Sequence, residues 1–148
     1  MGGYLNFLRM ENITALKPYE VFVFGSDIAG RHGKEVVKLS LGWGAQYWKG
    51  SGMSGNTYAI PTKTSAVIYG EKSKDTLENL DLHYIKAYVG LFIDVAMTEY
   101  KEWTFLVTEI GCGLDGYSPK DIAPLFKDAV NVPNIHLPQS FWDILNEY

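Results

Sequence analysis

Residues 103–119, WTFLVTEIGCGLDGYSP, decide the fold of this chain, because they run from a strand through a glycine-rich turn into a helix start. The β-branched and aromatic run Trp103–Thr108 predicts a strand. A glycine-rich loop follows at Ile110–Gly116, and Ser118 as N-cap, with a proline directly after it, predicts a helix to about Val130. Such a loop offers backbone N–H groups and a helix dipole to an anion, or simply makes a tight turn that needs a positive φ.

The same arrangement occurs upstream. Glu20–Phe24 predicts a buried central strand, since nearly all of its residues are apolar. The glycine-containing loop Gly25–Gly33 follows, and Lys34–Leu41 then has a helix-like pattern. Ligands of parallel sheets bind beyond the carboxyl ends of the strands, so we expect the two loops to converge on one crevice that holds a phosphate-containing ligand.

The rest of the chain alternates strands and helices. The spacing of apolar residues over Asp81–Tyr100 predicts a helix. Thr57–Pro61 predicts a strand, which Pro61 is expected to stop. The other predictions are a glycine-rich loop at Gly42–Gly55, a short strand or loop at Val67–Tyr69, a strand at Asn134–Pro138 and a helix at Gln139–Tyr148. The alternation predicts one α/β domain over residues 1–148, with a mostly parallel sheet and helices on both faces.

Composition excludes several classes of function. The net charge of −4 and pI near 5.3 argue against a protein that coats duplex nucleic acid, because such affinity is mostly phosphate neutralisation. The single cysteine, Cys112, excludes a disulfide framework and fits a reducing, cytoplasmic location. Three scattered histidines predict no metal site, and no cofactor is expected. No apolar run is long enough for a membrane helix, and Met1–Met10 does not have the pattern of a secretory signal. Neither glycine-rich loop has the Walker pattern or the dinucleotide-binding glycine pattern. This argues against a Walker-type ATPase and against a standard dinucleotide-binding Rossmann domain.

Three segments of the chain resemble the macrodomain family, whose α/β/α module binds ADP-ribose. Residues 12–16, Asn-Ile-Thr-Ala-Leu, resemble the family's G-D-I-T…L entry to its first core strand. Residues 24–33, FGSDIAGRHG, resemble its asparagine- and glycine-containing loop. Residues 110–117, IGCGLDGY, resemble its I-G-x-G-x-x-G-Y/F diphosphate loop and are the most specific match. The resemblance covers roughly residues 11–130 and implies a three-layer α/β/α sandwich.

The resemblance also implies a set of site residues. Asn12 stands where the family reads the adenine amino group, and Asp27 stands where it contacts the distal ribose. The diphosphate is expected to rest on backbone amides of both loops. The implied ligand-binding set is Asn12, Ile13, Ser26, Asp27, Gly30, His32, Gly33, Ile110, Gly111, Cys112, Gly113, Leu114, Gly116 and Tyr117. Tyr117 either covers the distal ribose or anchors its loop, and Cys112 is interpreted as a small packed residue rather than a nucleophile.

A subgroup of macrodomain hydrolases carries I-G-C-G-L-D, with a functional aspartate in the loop and a functional lysine at the end of an earlier strand. Asp115 matches the aspartate and Lys63 falls where the lysine is expected. A lysine amine can attack the C1″ aldehyde of a ribose, with a carboxylate moving the proton. The resemblance therefore implies hydrolysis of ADP-ribose from a modified protein or nucleic acid. The alternatives are a non-enzymatic reader or sequestering binder of such a nucleotide, and a structural protein with a degenerate pocket.

Overall fold

Five strands form one sheet in the computed structural model, which describes residues 13, 15–27, 42–45, 49–64, 78–113 and 116–147. The strands are β1 (Glu20–Asp27), β2 (Gly52–Ser54), β3 (Thr57–Lys63), β4 (Thr104–Val107) and β5 (Ile135–His136). Their order across the sheet is β2-β3-β1-β4-β5. All neighbouring strands of this sheet are parallel except β2 and β3, which are antiparallel. The predicted α/β class with a mostly parallel sheet is confirmed.

The helices of the described segments follow the strands in the predicted order. They are α1 (Leu82–Met97), α2 (Pro119–Ile122), a 3₁₀ helix (Ala123–Ala129) that continues α2, and α3 (Gln139–Leu145). The start at Ser118 is as predicted, and the Ser118 amide donates to Asp121 Oδ2 at 3.1 Å. The predicted helix to about Val130 is present, but only Pro119–Ile122 is α-helical. From Ala123 to Ala129 it has 3₁₀ geometry, because Pro124 has no N–H to donate to the carbonyl four residues earlier.

Alternation along β1 assigns its side chains to the two faces of the sheet. Val21 and Val23 belong to a large apolar core with one face of α1 and with residues of α2, the 3₁₀ helix and α3. Phe22 and Phe24 lie in a second cluster, with Trp43 packed against Phe22 at 5.0 Å between ring centroids. The predicted helix Lys34–Leu41 lies outside the described residues, so a third layer over this second face stays a prediction.

Pro61 does not end β3, contrary to the sequence prediction. The strand continues to Lys63, and the register with β1 shifts directly after the pair Ser26–Pro61, so that Asp27 lies opposite Lys63. A bulge or irregularity is where a sheet accommodates a proline, because the missing N–H then interrupts no regular ladder. The shift therefore carries the strand past Pro61 and brings Lys63 to the carboxyl edge of the sheet.

The glycine-rich segment Gly42–Gly55 is not all loop. Gly52–Ser54 forms β2 and pairs with β3 through a two-residue turn, Gly55-Asn56. Gly55 has a φ of 58°, and a Cβ there would lie 2.8 Å from the Trp43 carbonyl oxygen, so the turn requires glycine. A Gly-Asn pair is a two-residue hairpin signal, and here it directly precedes the strand that begins at Thr57.

The last strand and the last helix are shorter than predicted. The last strand is confined to Ile135–His136, and the last helix ends at Leu145. No helix of the described segments is long and apolar enough to cross a membrane.

Candidate functional site at the carboxyl edge of the sheet

The order of the strands in the sheet reverses between β1 and β4. After β1 the chain adds β3 on one side of β1, and it later adds β4 on the opposite side of β1. The connections that leave two such neighbouring strands diverge, which opens a crevice beyond their carboxyl ends. The two glycine-rich loops begin at this switch point.

The beginnings of the two loops are in contact. A Cβ built on Gly25 would lie 3.5 Å from the Gly111 amide nitrogen and 3.3 Å from Thr62 Oγ1. Ser26, the next residue of β1, is buried, with 4% of its surface exposed. The ends of β1 and β3 and the loop after β4 therefore converge on one point, where Thr62 and Ile122 also pack against Gly111.

The loop after β4 has a tight internal structure. Gly111 and Gly113 have φ values of 72° and 142°, and a Cβ on Gly116 would lie 2.4 Å from the Gly111 carbonyl oxygen. The Tyr117 amide donates to that same oxygen at 2.7 Å, and the Gly116 amide donates to Gly113 at 3.1 Å. Of the two roles considered for the loop, the glycines thus serve the tight turn, since close backbone packing here requires positive φ at Gly111 and Gly113 and no Cβ at Gly116.

Most amides of this loop are already used within it. Those of Cys112, Gly116 and Tyr117 donate to loop carbonyls, and the Ser118 amide donates to Asp121. Within the described segments, no acceptor is recorded for the Gly111 amide. A helix start capped by its own carboxylate has less to offer an anion than the sequence suggested. Among the described amides of this loop, that of Gly111, beside Gly25, therefore has no partner within the loop.

Tyr117 anchors the loop. Its hydroxyl donates to the Leu80 carbonyl at 2.6 Å, and its ring packs against the main core. Partial burial, together with the carboxylates of Asp81 and Asp121, raises the pKa of this phenol. Of the two roles considered for Tyr117, the observed contacts correspond to anchoring.

Lys63 lies at the end of β3, one residue after Thr62. Its Nζ donates to Asn79 Oδ1 at 2.9 Å, and the residue is half-buried rather than fully solvated. Because its neighbour Thr62 contacts the Gly25 position, Lys63 borders the point where the loops meet. The role of Lys63 in a ligand site stays a prediction.

Cys112 is a poor candidate for a nucleophile. Burial, reinforced by the charges of Glu109 and Asp121, raises the pKa of its thiol to about 11. The thiolate is the reactive form, so a raised pKa suppresses attack near neutral pH. The side chain packs against the main core, which supports its interpretation as a small packed residue.

A cleft of about 450 Å³ opens beside the loop, along β4 and the start of α3. Ile13, Phe22 and Pro138 supply apolar surface, while Thr108, Glu109, Gln139 and Ser140 supply polar groups. Ser140 Oγ donates to Glu109 Oε2 across the cleft. Ile13 belongs to the site predicted from the sequence, whereas Glu109 and Ser140 do not. The position of Glu109 just beyond β4 was the available signal, whereas its proximity to Ser140 depends on tertiary packing.

Several predicted site residues lie outside the described residues. They are Asn12, Gly30, His32, Gly33, Leu114 and Asp115, and only the backbone of Asp27 is described. Of the predicted site residues that are described, Ile13 lines the cleft. Ser26, Gly111 and Lys63 lie at or just beyond the carboxyl ends of the strands. The pairing of Lys63 with Asp115 stays a prediction. In the described part of the chain, no cluster of three or more His, Cys, Asp or Glu side chains could hold a metal ion.

The chain was compared with protein-family models, curated proteins and solved structures, and none of these matches it.

Proposed function

We propose that this protein binds ADP-ribose, or a nucleotide derived from it, along the carboxyl edge of its sheet. The observation that carries the proposal is the close approach of Gly25 and Gly111 at the switch point, with 3.5 Å between the Gly25 Cβ position and the Gly111 amide nitrogen. Small residues and a backbone donor at this position suit a phosphate group.

In the proposed binding mode, the cleft on one side of this contact holds the nucleobase, and Lys63 on the other side lies near the second ribose. The cleft lies on the β4–β5 side, and its volume is in the usual range for small-molecule sites. Lys63 lies on the opposite side, at the end of β3. The three intervening strand spacings from β5 to β3 amount to roughly 14 Å. A nucleobase in the cleft, a diphosphate at Gly111 and a second ribose towards Lys63 would follow the edge in that order.

The position of Lys63 favours hydrolysis as the activity. In the proposed reaction the lysine nitrogen bonds to C1″ of the distal ribose while the bond to the modified group breaks. The departing group keeps the electron pair and takes a proton, for which Asp115 is the proposed donor. One proton of the attached amine passes to the Asp115 carboxylate and restores its acid form, and the other moves to the ring oxygen as the ring opens to an imine. Water then adds to the imine and releases ADP-ribose and the free amine. The substrate class is an ADP-ribosylated protein or nucleic acid.

A thermal-shift series with ADP-ribose, ADP, AMP and NAD tests the binding proposal. Specific stabilisation by ADP-ribose that grows with concentration is expected from mass action. Stabilisation by AMP alone would overturn the assignment of the second ribose, and no stabilisation by any of the four would leave the structural alternative.

Turnover separates the enzyme from the reader. We expect Lys63→Ala and Asp115→Ala to lose hydrolysis of an ADP-ribosylated substrate while they retain affinity for ADP-ribose. Binding without turnover in the unmodified chain would instead identify a reader or a sequestering protein.

A further inference from the structure

The polar side chains of the cleft come from two places in the chain. Thr108 and Glu109 follow β4 directly, and Gln139 and Ser140 are the first two residues of α3. The hydrogen bonds that these side chains already make determine which chemical groups a ligand can bring into the cleft.

Both hydroxyl groups among the described residues of the cleft have used their hydrogen. Thr108 Oγ1 donates to the Val23 carbonyl at 2.8 Å. Ser140 Oγ donates to Glu109 Oε2, since a carboxylate oxygen only accepts. The two hydroxyl oxygens therefore have only lone pairs left for a ligand.

The Glu109 carboxylate is the charged acceptor of the cleft. Its Oε2 is held by Ser140, and in the part of the chain that the structure describes no hydrogen-bond partner is recorded for Oε1. Gln139 is exposed, and its side-chain amide can either donate or accept. A ligand group that enters beside Glu109 must therefore bring N–H donors, because a group with only lone pairs would face a negative charge without a hydrogen bond.

We infer that Glu109 determines the specificity of the cleft by selecting a nucleobase whose edge carries N–H donors, which in the proposed ligand is the 6-amino group of adenine. The inference rests on the proposed function, which puts the nucleobase in this cleft. An amino group has two N–H bonds, so it can donate to Oε1 and to one of the neighbouring acceptors. The same carboxylate repels a phosphate group, which agrees with a diphosphate bound at the glycine-rich loop and not in the cleft.

The test uses two ligands that differ only in the 6-amino group, AMP and purine riboside 5′-monophosphate. Calorimetry on the unmodified chain should give an affinity for AMP that is about tenfold higher, because the analogue cannot donate to the carboxylate. Glu109→Gln should remove this preference, since its amide oxygen can still accept from Ser140 while its N–H₂ group replaces the free oxygen. Glu109 is exposed, so the variant should fold.

Glu102→Gln is the matched control. Glu102 is also exposed, but it lies just before β4, at the opposite edge of the sheet from the cleft, and its substitution removes the same charge. This variant should retain the preference for AMP. Equal affinities for the two ligands in the unmodified chain, or a preference that persists in Glu109→Gln, would overturn the inference.

Free bases separate this inference from the proposed function. If neither AMP nor ADP-ribose binds, the proposed function fails, and the binding of adenine and of unsubstituted purine is then compared by NMR. A preference for adenine that Glu109→Gln removes would support the selection by Glu109, whereas equal binding, or no binding of either base, would overturn it. If ADP-ribose binds but the chain does not distinguish AMP from its analogue, the inference fails and the proposed function stands.

Discussion

Gly25 near the end of β1 and Gly111 just beyond β4 approach so closely that a methyl group on Gly25 would lie 3.5 Å from the Gly111 amide nitrogen. They are separated by most of the chain, yet they meet at the switch point of the sheet. In the proposed binding mode, the absence of a side chain at Gly25 gives an anion access to the Gly111 N–H. This relationship makes the proposed binding mode testable by single substitutions.

Gly25→Ala should weaken ADP-ribose binding. Its methyl group would stand between the ligand and the Gly111 amide, and loss of one charge-assisted hydrogen bond corresponds to about tenfold in affinity. Calorimetry measures the change. Gly90→Ala is the control, because Gly90 lies in α1 with open space around the added methyl group. Equal affinity in the two variants would show that the anion does not bind at Gly111.

Ser140→Ala should weaken binding of the base end. The substitution removes the donor to Glu109, so the carboxylate loses the partner that orients it in the cleft. We expect affinities for ADP-ribose and for AMP to fall together, by about threefold to tenfold, because both ligands carry the base. A loss confined to ADP-ribose would instead place the distal ribose in this cleft.

Tyr117→Phe should destabilise the loop anchor. The variant loses the hydrogen bond to the Leu80 carbonyl and leaves that oxygen without its phenol, at a cost of about 1 kcal/mol in the free energy of unfolding. Urea unfolding measures this difference. Tyr84→Phe, at an exposed position on α1, is the matched control. If both variants are as stable as the original chain, the hydroxyl contributes nothing to anchoring.

Cys112 should resist alkylation at neutral pH. With its pKa raised to about 11, only about one thiol in a thousand is ionised at pH 8. The rate of iodoacetamide modification should therefore continue to rise up to pH 11. A rate that levels off below pH 9 would mean that the thiol is more exposed than the structure indicates.

Alkaline pH should destabilise the fold through Tyr58. Burial raises the pKa of this phenol to about 12, against about 10 in an unfolded chain. The folded state therefore retains the phenol proton more strongly, so this contribution is fully present below pH 10 and is lost as pH rises to 12. The loss amounts to about 2–3 kcal/mol. Tyr58→Phe should unfold with a correspondingly weaker pH dependence in this range, and an identical dependence would exclude Tyr58 as the cause.

Several local elements, and the buried face of each, could be predicted from the amino-acid pattern alone. Apolar spacing in α1 places Ile85, Val89 and Phe92 on one buried face, and the apolar run of β1 marks a strand covered on both sides. Such patterns are readable because they repeat with the period of the helix or strand and depend on neighbours a few residues away. The Ser118 helix start and the glycine-rich loop are local in the same sense.

Which of these elements pack against each other follows from long-range contacts in the folded chain. No local pattern specifies that β1 lies between β3 and β4, that the register shifts beyond Pro61, or that Asn79 accepts a hydrogen bond from Lys63. These relationships arise from long-range strand pairing and from burial of a common core. Their stability depends on the whole set of contacts rather than on the preference of any one segment.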